Sequence, residues 1–284
     1  SAGTISQRAT GNFINTFSLQ GSSVGGASFV GENNQVSNLG AFTNSGSGGF
    51  TYEGNAEFHV TGDIDAGAGD ISLTSSVGTI AIEAAISTTG SLTLATHGEI
   101  EDTPTGSISA GILNADAFNG VTLGYDVEVD EIGTITAGNS VVISNAKSLT
   151  VSGAIQAGSV YLTATGSGHN ISVANAISSA GTVSLMSAGT ILESGSGAIN
   201  AATLTGSSDG AISLDGDNLI GSLGEFTTAG NDFSLTNAQD LNANGTINVG
   251  TGALSLATKG MGSDILIRAA LTGGSCCRRS RPTR

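Results

Sequence analysis

Three observations predict an all-β fold, a right-handed parallel β-helix that is elongated and repetitive. Short aliphatic runs recur roughly every 20 residues, a period typical of solenoid coils. A longer block, of the order of 91 to 94 positions, repeats the same ordered skeleton. The third observation is composition. The 284 residues include 44 Gly, 9 Phe, 3 Tyr and no Trp, and 11% are charged, against roughly 25% in ordinary soluble domains. Side chains this small cannot fill one thick core, but they can fill a thin one in which β-branched and small residues stack layer on layer. Disorder, the rival for a Gly/Ser-rich chain, fits poorly: hydrophobic residues make up 38% and mean hydropathy is +0.18.

The short period shows in Ile132, Val151, Ile171 and Ile191, each at the centre of a short apolar run. The long period is the stronger signal. Leu39-Gly40-Ala41-Phe42 returns as Ile132-Gly133-Thr134-Ile135 and as Leu223-Gly224-Glu225-Phe226. Gly62-Asp63-Ile64 returns as Gly153-Ala154-Ile155 and Gly245-Thr246-Ile247, and Ile71-Ser72-Leu73 as Val160-Tyr161-Leu162 and Leu254-Ser255-Leu256. Chance alignment of Gly-rich sequence would match glycines, whereas here the aliphatic order is kept.

Locally the pattern is strand-like. Runs such as Val121-Thr122-Leu123 and Val141-Val142-Ile143 are short, β-branched and bounded by Gly, Asn, Asp or Ser, residues that favour turns. A coil of about 20 residues holds two or three short strands and cannot bury its own apolar face, so stacking the next coil in register is the stable solution. A right-handed coil follows the usual crossover preference. Aligned aliphatics are expected to point inward and stack: Ile64, Ile155 and Ile247, and Leu73, Leu162 and Leu256. Asn145 and Asn237 form either side-chain ladders or turns inside the stack, or are plain loop asparagines.

The predicted layout is a lead-in or partial first coil over 1–25, a β-helix of about three long blocks over 26–274, and a basic tail over 275–284. That tail holds Cys276, Cys277 and four of the eight basic residues, where a further strand is due. It reads as a non-native or unstructured end, with Cys276 to Arg284 packing against nothing; the alternative is a basic targeting or docking tail.

Net charge is −15, with 23 acidic residues and only Arg8, Lys147, Lys259 and Arg268 as basic residues before the tail. A nucleic-acid partner needs a basic footprint, which is lacking, and no apolar run approaches the roughly 18 residues of a membrane helix. Two adjacent cysteines give no disulfide framework and no zinc spacing.

The repeats Gly90 to Ile100 (GSLTLATHGEI), Gly181 to Ile191 (GTVSLMSAGTI) and Leu235 to Thr258 (LTNAQDLNANGTINVGTGALSLAT) resemble those of filamentous-haemagglutinin-like adhesins, exoproteins of Gram-negative bacteria exported by two-partner secretion. The resemblance covers most of Gly26 to Gly274. It implies a secreted, cell-surface β-helical shaft serving attachment or biofilm formation, an outer-membrane transporter as partner, and host or surface glycans as further partners. The alternatives are a β-helix polysaccharide lyase or glycosidase, and a surface-layer component.

No catalytic residue is assigned, since HExxH, GxSxG and P-loop patterns are missing, and the binding residues are unknown. His59, His97 and His169 read as turn or surface residues. No cofactor or metal is called for. The one weak candidate for Ca²⁺ is the strand carrying Asp126, Glu128 and Asp130 on one face, with Val127 and Val129 on the other and Glu131 next. The alternative is a solvated strand face. Gly67 to Leu73 (GAGDISL) is only faintly like a Ca²⁺-binding nonapeptide and does not recur every nine residues.

Overall fold

The computed structural model describes residues 2–8, 11–31 and 33–276. Among them every regular element is a strand, the strand pairings are parallel, and there is no helix. The fold is a parallel β-solenoid. The chain divides into two compact units, residues 1–144 and 145–284.

In the first unit each coil supplies three strand segments, and each segment pairs with its equivalent one coil away. One inward ladder runs Ile5, Ala27, Phe50, Ile71, Leu92, Leu113 and Ile132, in nearly equal steps along the chain. A second runs Phe58, Ile80, Ile100 and Val121. The third runs Phe42, Ile64, Ile86, Ile108 and Val127. Alternation along each strand turns these residues inward and sends Ser, Thr, Asn or acidic neighbours outward, as in the buried-intermediate alternation of Ser91–Thr96.

The second unit repeats the plan. One ladder runs Leu149, Ile171, Ile191, Ile212, Phe233 and Leu254. Another runs Val160, Val183, Leu204, Leu223, Ala243 and Ile267. Ile155, Ile177 and Ile199 form the third.

All six aliphatics predicted inward are buried: Ile64, Ile155, Ile247, Leu73, Leu162 and Leu256 are each at most 3% exposed, and Asp63 faces solvent. The expectation that block-aligned residues stack on one another is overturned. Leu39 stands in line with Val60 and Ile82, whereas its block mate Ile132 stands in line with Leu113. Val160 and Leu254, also block mates, occupy different ladders. The reason is arithmetic: the long block spans about four and a third coils, so a three-segment coil returns one segment on. Of the residues that mark the short period, Ile171 pairs with Ile191, and Val151 pairs with Val173.

Close stacking sets the small residues. Gly26 sits at φ +99°, and a Cβ there would lie 2.8 Å from the Gly49 carbonyl oxygen. At Gly46 the clash would be with the Val24 carbonyl oxygen. The larger residues gather in two spots. Phe29, Phe42 and Phe50 meet ring to ring in the first unit, as do Tyr52 and Phe58. Phe226 and Phe233 meet in the second.

Ile5–Ser6 and Asn15–Ser23, within the segment 1–25, pair with Ala27–Val30 and Gln35–Asn44. At the other end Ser275–Cys276 pairs with Ala253 and Leu254, so the start of the expected tail continues the stack. The rest of the basic tail, residues 277–284, lies outside the described residues.

Candidate functional site

The carboxylates are the residues whose roles the stack reveals. Asp102 takes an inward position that Leu39, Val60 and Ile82 fill in the preceding coils, and it is 7% exposed. Its two oxygens accept the backbone N–H groups of Gly124 at 2.9 Å and Tyr125 at 3.0 Å, one coil on. One long block later Glu193 takes the equivalent place in the second unit, in line with Val151 and Val173. Its Oε2 accepts from the Gly216 N–H at 2.6 Å and from Asn218 Nδ2 at 3.1 Å. A buried carboxylate is tolerated only with such donors.

Exposed acidic and half-buried amide side chains do the same elsewhere. Asp70 Oδ1 accepts from the Ser91 N–H and Asp232 Oδ1 from the Ala253 N–H, both at 2.8 Å. Asn114 accepts from the Thr134 N–H at 3.0 Å and Asn170 from the Thr190 N–H at 2.7 Å. Each bond ties one coil to the next.

Buried asparagines complete the pattern. Asn218 and Asn237 are ladder neighbours and wholly buried. Asn218 Oδ1 accepts from the Ile199 N–H at 2.7 Å, and Asn237 Oδ1 from the Ile220 N–H at 2.8 Å. Asn237 Nδ2 donates to the Ile220 and Gln239 carbonyls. Asn237 therefore lies inside the stack, its amide bonding backbone groups, and is not a plain loop asparagine. Asn145 is also wholly buried, and its Nδ2 donates to the Lys147 carbonyl across a turn.

The acidic strand Val121–Ala137 matches its expected alternation. Asp126, Glu128 and Asp130 face out, Glu131 is half-buried, and Val127 and Val129 are fully buried. Their cross-coil neighbours are Ser107 for Asp126, Ser109 for Glu128 and Ile112 for Glu131. Among the described residues no group of three or more His, Cys, Asp or Glu side chains is arranged to hold a metal ion. Asp70 of the glycine-aspartate stretch accepts the Ser91 N–H, and Asp65, just before the stretch, accepts the Gly67 N–H.

The histidines do not converge. His59 lies on a strand, with its Nδ1 2.7 Å from Glu83 Oε1. His169 bonds the Thr165 carbonyl in a turn. His97 is exposed and lines a cleft of about 380 Å³ with Glu53, Asp116 and Phe118. Sequence reasoning passed over this group and over Asp102 and Glu193. The available signal was spacing: Glu53, Thr74, Ala95 and Asp116 recur at equal intervals, and Asp102 and Glu193 lie one block apart.

Compared with known proteins, the chain matches no family, no curated protein and no solved structure.

Proposed function

We propose that this chain is the structural shaft of a secreted, cell-surface adhesin of the filamentous-haemagglutinin-like type, exported through a two-partner outer-membrane transporter and serving attachment or biofilm formation, with no chemistry of its own. The observation that carries this reading is the employment of the carboxylates. Asp70, Asp102, Glu193 and Asp232 hold backbone N–H groups of the neighbouring coil, which is a scaffold's use of acid groups. A stack in which each coil templates the next also suits a chain that folds progressively as it leaves a membrane pore.

A glycosidase would need two carboxyl groups about 5–9.5 Å apart. The carboxylates of the cleft, Glu53 and Asp116, stand three coils apart in one outward column, or roughly 14 Å at about 4.8 Å per coil. That spacing is too long for a glycosidase pair in this cleft.

The test sets this chain beside the intact exoprotein in a glycan and host-cell binding screen, together with an assay for polysaccharide cleavage. Attachment by the intact protein with no release of reducing or unsaturated ends by this chain is the expected result. Turnover of a polysaccharide would replace the shaft with an enzyme.

A further inference from the structure

The cleft beside Phe118 is built by register. Glu53, Thr74, Ala95 and Asp116 form one outward column. Asn55, Ser76, His97 and Phe118 follow two positions later at the turns of the same coils, because Gly54, Ser75, Thr96 and Ala117 pair in line. The small side chains of Thr74 and Ala95 form the floor between two longer acidic ones. The result is a trough of about 380 Å³ running along the stack for roughly 14 Å.

One long wall carries His97 and Phe118, and the Phe118 ring is 71% exposed. The wall is held from beneath. Buried Thr96 accepts the Phe118 N–H on its carbonyl at 3.0 Å, and its Oγ1 accepts the Gly98 N–H, also at 3.0 Å. An exposed aromatic on an anchored backbone, beside hydrogen-bonding groups, suits the apolar face of a sugar ring, and the ring face also attracts cations. No Lys or Arg lines the cleft, and the chain as a whole carries −15. Sulfated or carboxylated ligands are therefore repelled, and positively charged ones are drawn in.

We propose that this trough binds an extended glycan carrying free amino groups, a partly or fully deacetylated glucosamine oligomer. Ammonium groups pair with Glu53 and Asp116 at the two ends, a ring stacks on Phe118, and His97 exchanges hydrogen bonds with ring hydroxyls. This goes beyond the shaft reading, which gives the coils no ligand of their own.

Calorimetric titration of the full chain with a glucosamine hexamer tests it, with the fully acetylated hexamer and a sulfated oligosaccharide as comparisons. The expected result is saturable binding of the amine form only, weakened about tenfold or more by Phe118→Ala and by Asp116→Asn, with unchanged circular dichroism. Because an acidic chain attracts any polycation, Asp126→Asn removes an equal charge elsewhere, and Tyr161→Ala removes another exposed ring. Both should bind like the parent. Equal loss in Asp126→Asn, indifference to Phe118→Ala, equal or tighter binding of the acetylated or sulfated oligomer, or no binding at all would each overturn the proposal.

Discussion

Glu193 Oε2 accepts the Gly216 backbone N–H at 2.6 Å, joining two groups that are distant in sequence and one coil apart in space. The other carboxylate oxygen, Oε1, is buried and has no hydrogen-bond partner among the described residues. Burial pushes the Glu193 carboxyl above its ordinary value and nearby Asp215 adds to this, while the Gly216 and Asn218 bonds and Lys259 offset part of it. A carboxyl whose folded-state pKa is raised favours the fold most when protonated, and that advantage is lost as pH rises through the folded value. Glu193→Gln keeps an acceptor for Gly216 and removes the charge. Its melting temperature should exceed the parent's at pH 7 by more than at pH 4, whereas Glu193→Ala should lie below the parent at both. Thermal unfolding at the two pH values decides this.

Asp102 is the counterpart in the first unit, with both oxygens engaged. Asp102→Ala removes a buried carboxylate that serves two backbone N–H groups, those of the exposed Gly124 and Tyr125, and should cost about 1–3 kcal/mol. Asp70→Ala removes one exposed acceptor and should cost about 1 kcal/mol or less. Urea unfolding of the two variants should rank them in that order.

Tyr52 is fully buried, and its hydroxyl makes no hydrogen bond of acceptable geometry among the described residues, the Val36 backbone being the nearest mitigating group. Burial raises the phenol to about 12. The neutral form is favoured in the fold, so stability is retained below pH 10 and lost as pH rises from 10 towards 12, by an amount on the order of 2–3 kcal/mol when complete. Tyr52→Phe should unfold at slightly higher urea at pH 7, a gain of about 1 kcal/mol, and should lack that alkaline loss. A stability profile from pH 8 to 12 checks both.

Asn237 bonds the Ile220 N–H and the Ile220 and Gln239 carbonyls from a fully buried position. Asn237→Ala should cost about 2–4 kcal/mol, since it strands backbone groups inside the stack. Asn55→Ala, on a half-buried turn residue whose side chain accepts from Ser76 Oγ, should cost less than about 1 kcal/mol. Chemical denaturation distinguishes them.

The inward aliphatics were legible because alternation is local: Val127 and Val129 between Asp126, Glu128 and Asp130 need no knowledge of neighbours. The fold class followed, since repeated short strands that cannot bury their own faces must stack. The stacking partner was not legible in the long repeat. Order kept from block to block measures equivalence of segments, whereas contact is set by the length of one coil. For the same reason the roles of Asp70, Asp102 and Glu193 stayed hidden, because a carboxylate that serves a backbone N–H one coil away looks in sequence like any acidic turn residue. The Phe118 trough needed the column from Glu53 to Asp116, which only the coil register brings together.

That register is open to a direct chemical test in the second unit. Ser234 and Ser255 are in-line neighbours on the outer face, with a spacing near ~4.8 Å per coil that falls inside the roughly 4.4–6.8 Å Cα range of a disulfide. In a background with Cys276 and Cys277 replaced by serine, Ser234→Cys with Ser255→Cys should close an intramolecular disulfide on mild oxidation, whereas Tyr161→Cys with Ser255→Cys, a block-aligned pair, should not. A bond between positions 161 and 255, or none between 234 and 255, would contradict the stacked-coil architecture on which the cross-coil bonds of Glu193 and Asp232 depend.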